Sequence, residues 1–305
     1  MSADWQHPIR QCEGNGPVGH IVKPLIAGAG VIGAGAAILL ALGGAAAAGV
    51  GPDGADGANS VTVTLPSPAQ QVRIVEGRSP GRPLVLIDPG HGGHDPGATS
   101  VSGEVQEKAL TLQLGRELRD RLASSGRVRI AMTREADRYL TLDQRAALAR
   151  RLGASLYVSL HMDSAPNPLA RGASVYSLSD VASDAEAARL ARSENSAAAR
   201  AGGADGSVRA ILSDLVLLSQ MSASASLAER LVRYSSGGVG LRPQPHRFAD
   251  FHVLRSAGVP AILFEAGYIS NVDDEALLRR PEQRSRIVRA LARTIEADIA
   301  ARNAR

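Results

Sequence analysis

The chain reads as an α/β protein: an open, mostly parallel twisted sheet with helices on both faces, forming a single catalytic domain after an N-terminal hydrophobic segment. Two patterns predict the layers. Short apolar runs recur at 84–88, 127–133, 156–160, 173–177 and 261–265, while helix-like stretches occupy 107–123, 142–152, 226–234 and 282–301, and this alternation gives a mostly parallel sheet. A third observation places the chemistry. His91, His161 and Glu265 lie at or just beyond the ends of β-like runs, and Glu107 opens a helix. That edge of an open α/β sheet is where sites form.

The first element of the domain is the run ending in LVLIDPGHGGHDPGA, which puts His91 in a glycine-rich turn directly after a buried strand. Glu107 follows in QEKALTLQL; taken alone, it is a carboxylate favoured by the macrodipole at a helix start. His161 sits in LYVSLHMDS. Glu265 ends the apolar run AILFE, where a carboxylate has no structural reason to be unless it is paired or functional.

Two imidazoles and one carboxylate, with one position left open, match a catalytic rather than a structural zinc site. Glu265 is then free to act as the proton carrier. Other histidines fit less well. His94, three residues after His91, reads as solvent-facing; His246 and His252 flank RFADF and read as polar surface residues, although a histidine near a cleft can polarise a substrate carbonyl. His7 and His20 precede the hydrophobic segment.

DPGHGG, the EK pair, SLHMDS and FEAGYISN, in this order and with TREADRYLTLDQRAALAR and RFADFHVLRSAGVPAILFE between them, resemble the zinc-dependent N-acetylmuramoyl-L-alanine amidases of the type-3 class. The resemblance runs from about Leu84 to Ile299. It implies His91, Glu107 and His161 as Zn²⁺ ligands and Glu265 as the catalytic acid/base. It also implies cleavage of the amide between N-acetylmuramic acid and the L-alanine of the stem peptide, in cell-wall remodelling and daughter-cell separation. Asp163, where that family often has asparagine, and Tyr268, where it often has phenylalanine, are departures expected to leave the chemistry untouched. A polar, Ala-rich insert lies between Val181 and Leu231. Division-associated members carry there a helix that covers the zinc until a protein activator displaces it. Glu194, in SEN, resembles their blocking ligand and is expected as an autoinhibitory fourth ligand.

The chain has 305 residues and a formal net charge of +4. Residues 1–23 read as a short cytoplasmic segment, 24–50 as a transmembrane anchor or signal sequence, 51–83 as a linker and 84–305 as the zinc amidase domain. The run from Pro24 to Val50 carries no charge and is long enough for a bilayer core, which takes about 20 helical residues. Its length favours a retained anchor over a cleaved signal; either way the catalytic part is exported to the cell envelope, on the periplasmic side. Within it, Gly28 to Gly33 fits G-x-G-x-x-G, but without a βαβ context no nucleotide is assigned. Cys12 is the single cysteine, so no disulfide framework and no thiol ligand is available to the exported part. The basic excess is almost all arginine with few aromatics, which argues against nucleic acid as a partner; peptidoglycan is the expected one.

Two alternatives stay open: a zinc metallopeptidase acting on another amide, since ligands alone do not choose a substrate, and a catalytically silent peptidoglycan-binding module. Intact Glu265 weighs against the second. No G-x-S-x-G elbow of a serine hydrolase is expected anywhere in the chain.

Overall fold

The structure, a computed structural model, describes residues 72–196 and 208–304. The expected segments 1–23 and 24–50, most of 51–83, and Gly28 to Gly33 with them, lie outside the described residues. In chain order the elements are β1 (Ile74–Val75), β2 (Leu84–Pro89), α1 (Glu107–Ser125), β3 (Arg129–Met132), α2 (Leu142–Arg151), β4 (Leu156–Asp163), β5 (Ala173–Leu178), α3 (Ala185–Asn195), α4 (Val208–Ser235), β6 (Leu241–Ala249), α5 (His252–Ser256), β7 (Ala261–Tyr268), α6 (Val272–Arg279) and α7 (Pro281–Asn303).

The strands form one sheet in the order β1-β3-β2-β4-β7-β5-β6. Its centre, β3-β2-β4-β7, is parallel, β1 and β5 pair antiparallel with β3 and β7, and β6 runs parallel to β5 at the edge. The mostly parallel sheet is therefore as expected. β1 falls inside the stretch read as linker. β6 was not expected, because Pro243 and Pro245 interrupt LRPQPHRFA; proline lacks the donor an inner ladder needs but is tolerated at an edge, which is where β6 lies.

Strand alternation sorts the core into two layers. Val85, Ile87, Val158, Leu160, Ile262 and Phe264 pack with leucines of α1, α4 and α7 on one face. Leu84, Leu86, Tyr157, Ala261 and Leu263 pack with α2, α3 and α5 on the other. Leu110, Leu114, Leu118 and Leu122 repeat every four residues along α1 and are all buried, each such side chain contributing about 1.5–3 kcal/mol by leaving water. Gly126 ends α1 in the left-handed conformation, its N–H bonding the carbonyls of Leu122 and Ala123. Thr141 and Gln144 close a capping box on α2.

On the second face the strands turn from apolar to polar toward their C-terminal ends. β2 runs Leu84, Leu86, Asp88; β4 runs Tyr157, Ser159, His161, Asp163; β7 runs Ala261, Leu263, Glu265. A polar floor thus forms on three adjacent parallel strands, and α3 belongs to the layer above it.

Candidate metal centre and catalytic cleft

His91 lies two residues beyond β2, His161 and Glu265 are register partners on β4 and β7, and Glu107 is the first residue of α1. Glu107 faces both imidazoles with a different oxygen for each: Oε2 is 3.1 Å from His91 Nε2 and Oε1 is 3.1 Å from His161 Nδ1. The same oxygens accept from the backbone N–H groups of Ala98 and Met162, which fixes the carboxylate between the rings. Asp95 Oδ2, 2.9 Å from His91 Nδ1, holds that ring with Nε2 turned inward.

Glu194, near the end of α3, completes the group. Its Oε2 is 3.4 Å from His161 Nδ1 and 3.9 Å from His91 Nε2, and the ligand atoms of His91, His161 and Glu194 all lie within 4.8 Å of one another. Donors around a tetrahedral zinc with bonds of about 2.0–2.1 Å stand about 3.3–3.4 Å apart; one Glu194 oxygen stands 3.4 and 3.9 Å from the two ring nitrogens, whereas Glu107 meets each ring with a different oxygen. His91 Nε2 is buried with no hydrogen-bond partner. The donor set fits a divalent cation.

The electrostatics agree. Burial opposes a charge on His91, yet Glu107, Asp95 and Glu194 outweigh it and raise the ring to about 11. Glu107 is itself held far below the usual carboxylate range: burial works against its charge, but the two imidazoles prevail. The carboxylates around His91 thus favour positive charge at this point.

Glycine makes the close approach possible. A Cβ on Gly90 would stand 2.3 Å from His161 Cε1, and one on Gly97, at φ +65°, would stand 2.6 Å from Glu107 Oε2. His91 itself adopts φ +59°, a conformation that costs a non-glycine residue about 1–2 kcal/mol.

Glu265 is fully buried, and neither carboxylate oxygen has a hydrogen-bond partner among the described residues. Burial first, then the charges of Asp163, Glu107 and Glu194, push it well above the usual range. A cleft of about 640 Å³ has a lining that includes His91, Glu107, His161, Asp163 and Glu194 but not Glu265.

α3 is tied down over this cleft at both ends. Arg242 makes a two-pronged contact with Glu186 at 2.9 and 2.8 Å, and Arg189 donates to the Ser164 carbonyl. At the far end, Asn195 donates to the Asp250 carbonyl at 2.7 Å and accepts from the His252 N–H at 2.8 Å.

Both departures touch elements of the site. Asp163 belongs to the site: burial raises it to about 7, and its charge acts on Glu265. Tyr268 donates to Glu186 at 2.8 Å, a bond phenylalanine cannot make, and so helps to hold α3. Asp95 was also missed, although its place four residues after His91 was a usable signal. The remaining histidines among the described residues have local partners. His94 stacks on Tyr139 with centroids 4.0 Å apart, His246 meets Ser177 at 2.8 Å, and His252 meets Asp143 at 2.7 Å. Gly77 to Gly81 does have the G-x-S-x-G spacing, contrary to expectation, but Ser79 lies in an exposed bend before β2 rather than at a strand-to-helix elbow.

The family model described as N-acetylmuramoyl-L-alanine amidase matches residues 85–297. The N-acetylmuramoyl-L-alanine amidase AmiA of Escherichia coli (strain K12) is 34% identical over 220 residues, covering 70% of this chain and 75% of that protein. AmiC of Neisseria meningitidis serogroup B is 31% identical over 237 residues, covering 76% of this chain and 55% of that protein, so the chain spans little more than half of the meningococcal enzyme. Among solved structures, AmiC2 of Nostoc punctiforme is 28% identical with a TM-score of 0.54, covering 70% of this chain and 96% of the other. Ordered motifs, sheet topology and these matches agree that the chain belongs to the N-acetylmuramoyl-L-alanine amidase family.

Proposed function

We propose that the chain is a zinc-dependent peptidoglycan hydrolase that cleaves the amide between N-acetylmuramic acid and the L-alanine of the stem peptide. The observation that carries this reading is the convergence of His91 Nε2, His161 Nδ1 and the Glu107 and Glu194 carboxylates at 3.1–3.9 Å. His91, Glu107 and His161 would hold the ion. Zinc bound there supplies Lewis acidity that polarises the amide carbonyl and acidifies water. Asp95 keeps the His91 proton on Nδ1, and the two backbone donors on Glu107 keep its oxygens in place.

Glu265 is the proton carrier. One Oε oxygen takes the proton of the attacking water and returns it to the alanine nitrogen as the C–N bond breaks. Burial first and then the neighbouring carboxylates raise its affinity for a proton, which suits the donating half of that exchange; a cation beside His161 would work against that rise.

Glu194 is the autoinhibitory ligand. With α3 closed it takes the position that water and the substrate carbonyl need, and a protein activator that lifts α3 frees it. Export by residues 24–50, retention in the envelope or periplasm and a role in daughter-cell separation complete the proposal; among the described residues no helix is long and apolar enough to cross a membrane.

Metal analysis after exhaustive dialysis tests the centre. One zinc per chain is expected in the wild type and in Glu265→Gln, and none in His161→Ala. A His161→Ala chain that keeps a full equivalent of zinc overturns the ligand assignment.

A further inference from the structure

Two arginines that no step above uses are buried next to the His91 turn. Arg134 is 0% exposed and Arg145 3%. Arg145 Nη1 donates to the Asp88 carboxylate and to the Pro89 carbonyl, both at 2.8 Å, Nη2 donates to the His91 carbonyl at 2.7 Å, and Nε donates to the Leu140 carbonyl at 3.1 Å. Arg134 Nε donates to the Pro89 carbonyl at 2.9 Å, and Nη2 donates to the Gly90 carbonyl at 2.7 Å, the Lys108 carbonyl at 2.8 Å and Thr111 Oγ1 at 3.0 Å. The carbonyls of three consecutive residues, Pro89, Gly90 and His91, are thus all held by guanidinium groups.

Burying two cations costs several kcal/mol each before their contacts offset it, and among the described residues the buried Asp88 carboxylate makes its ion pair with Arg145 alone. Asp88 is itself fixed from four sides by Arg145, Thr133, Tyr157 and Ser159. A turn that needed only to connect β2 to α1 would not require this. His91, however, must sit at φ +59°, which relaxes toward an ordinary conformation unless the surrounding structure holds it. Arg134 also bonds the Lys108 carbonyl and Thr111, one turn into the helix that begins with Glu107. The two guanidinium groups therefore link the backbone that carries one ligand to the helix that carries another.

We propose that Arg145 and Arg134 are positioning residues of the metal centre, setting the placement of His91 and Glu107 through backbone carbonyls. The proposal rests on the metal reading above. Lysine keeps the charge but lacks the planar fork that reaches several acceptors at once, so Arg145→Lys separates geometry from charge.

The test uses the full chain with cobalt(II) as the probe, reading affinity by chelator competition and coordination by the visible spectrum. Arg145→Lys is expected to bind cobalt about 10–100-fold more weakly, with an altered visible band. At saturating metal kcat falls while KM holds. Tyr157→Phe, which removes one donor to Asp88 with little change of volume, shifts affinity in the same direction and decides alone if Arg145→Lys does not fold. Wild-type affinity and spectrum in the folded variants overturn the proposal, even if their melting temperatures drop, because a merely structural role predicts that outcome. His91→Ala separates the two levels: a wild-type cobalt spectrum that His91→Ala leaves unchanged defeats the metal reading, and the positioning role with it.

Discussion

Replacing Glu265 by glutamine is expected to leave two opposite marks on the molecule. The side chain keeps its volume but can no longer carry a proton between water and the leaving amine. A positioned acid/base group contributes about 10²–10⁴-fold, so kcat is expected to fall by that factor, about 3–5 kcal/mol of transition-state stabilisation, with zinc content unchanged. The metal-free protein should respond in the other direction. Glu265 is 1% exposed with both oxygens unbonded, and burial with three neighbouring carboxylates raises it above its ordinary value of 4.5. A group raised in this way contributes stability that is full below the unfolded value and is lost as pH climbs through the folded one. Glutamine has no such loss, so metal-free Glu265→Gln should gain on metal-free wild type as pH rises above the ordinary value of 4.5. Turnover on purified peptidoglycan and urea unfolding of the chelated proteins measure the two effects. Turnover within tenfold of wild type refutes the proton-carrier role, and no gain in stability refutes the account of its environment.

Two further predictions rest on neighbouring residues. Glu194→Ala removes a charged contact of roughly 1.5–3 kcal/mol, and basal turnover without an activator should rise about 10–100-fold; unchanged turnover counts against autoinhibition, whereas Asn195→Ala, which frees the same end of α3, should raise it in the same direction. Asp88 sits at about 2 instead of 3.8, since Arg145, Thr133 and Tyr157 outweigh the effect of burial. This depressed group should contribute about 2 kcal/mol above the unfolded value, lost as pH falls from about 4 through about 2; an acid unfolding profile that Asp88→Asn leaves unchanged contradicts that ledger.

The centre of the sheet was legible because parallel strands buried on both faces write continuous apolar runs, and His161 and Glu265 stood out as polar breaks in such runs. Elements with other determinants were not. β6 was hidden by its prolines, α5 and α6 are short, and the first half of α4 leaves Leu215, Val216 and Leu218 exposed, so it lacks a clean apolar stripe. His91, Glu107 and His161 could be grouped because Glu107 opens a helix and the two histidines lie near or just beyond the C-terminal ends of apolar runs. Asp163 could not be weighed from sequence, since its effect depends on its distance from Glu265 across two strands. Arg134 and Arg145 carry no local sequence signal of their contacts; only the fold brings them to carbonyls more than 40 residues away.

The central claim is that this chain's metal centre breaks one specific amide. Purified peptidoglycan digested with the wild type and with Glu194→Ala, after chelation and again after zinc is restored, tests it, with the products identified by mass. The account predicts free stem peptides beginning with L-alanine, released only with zinc and faster by Glu194→Ala. Cleavage within the stem peptide, release that survives chelation, or no release by zinc-loaded Glu194→Ala would contradict it.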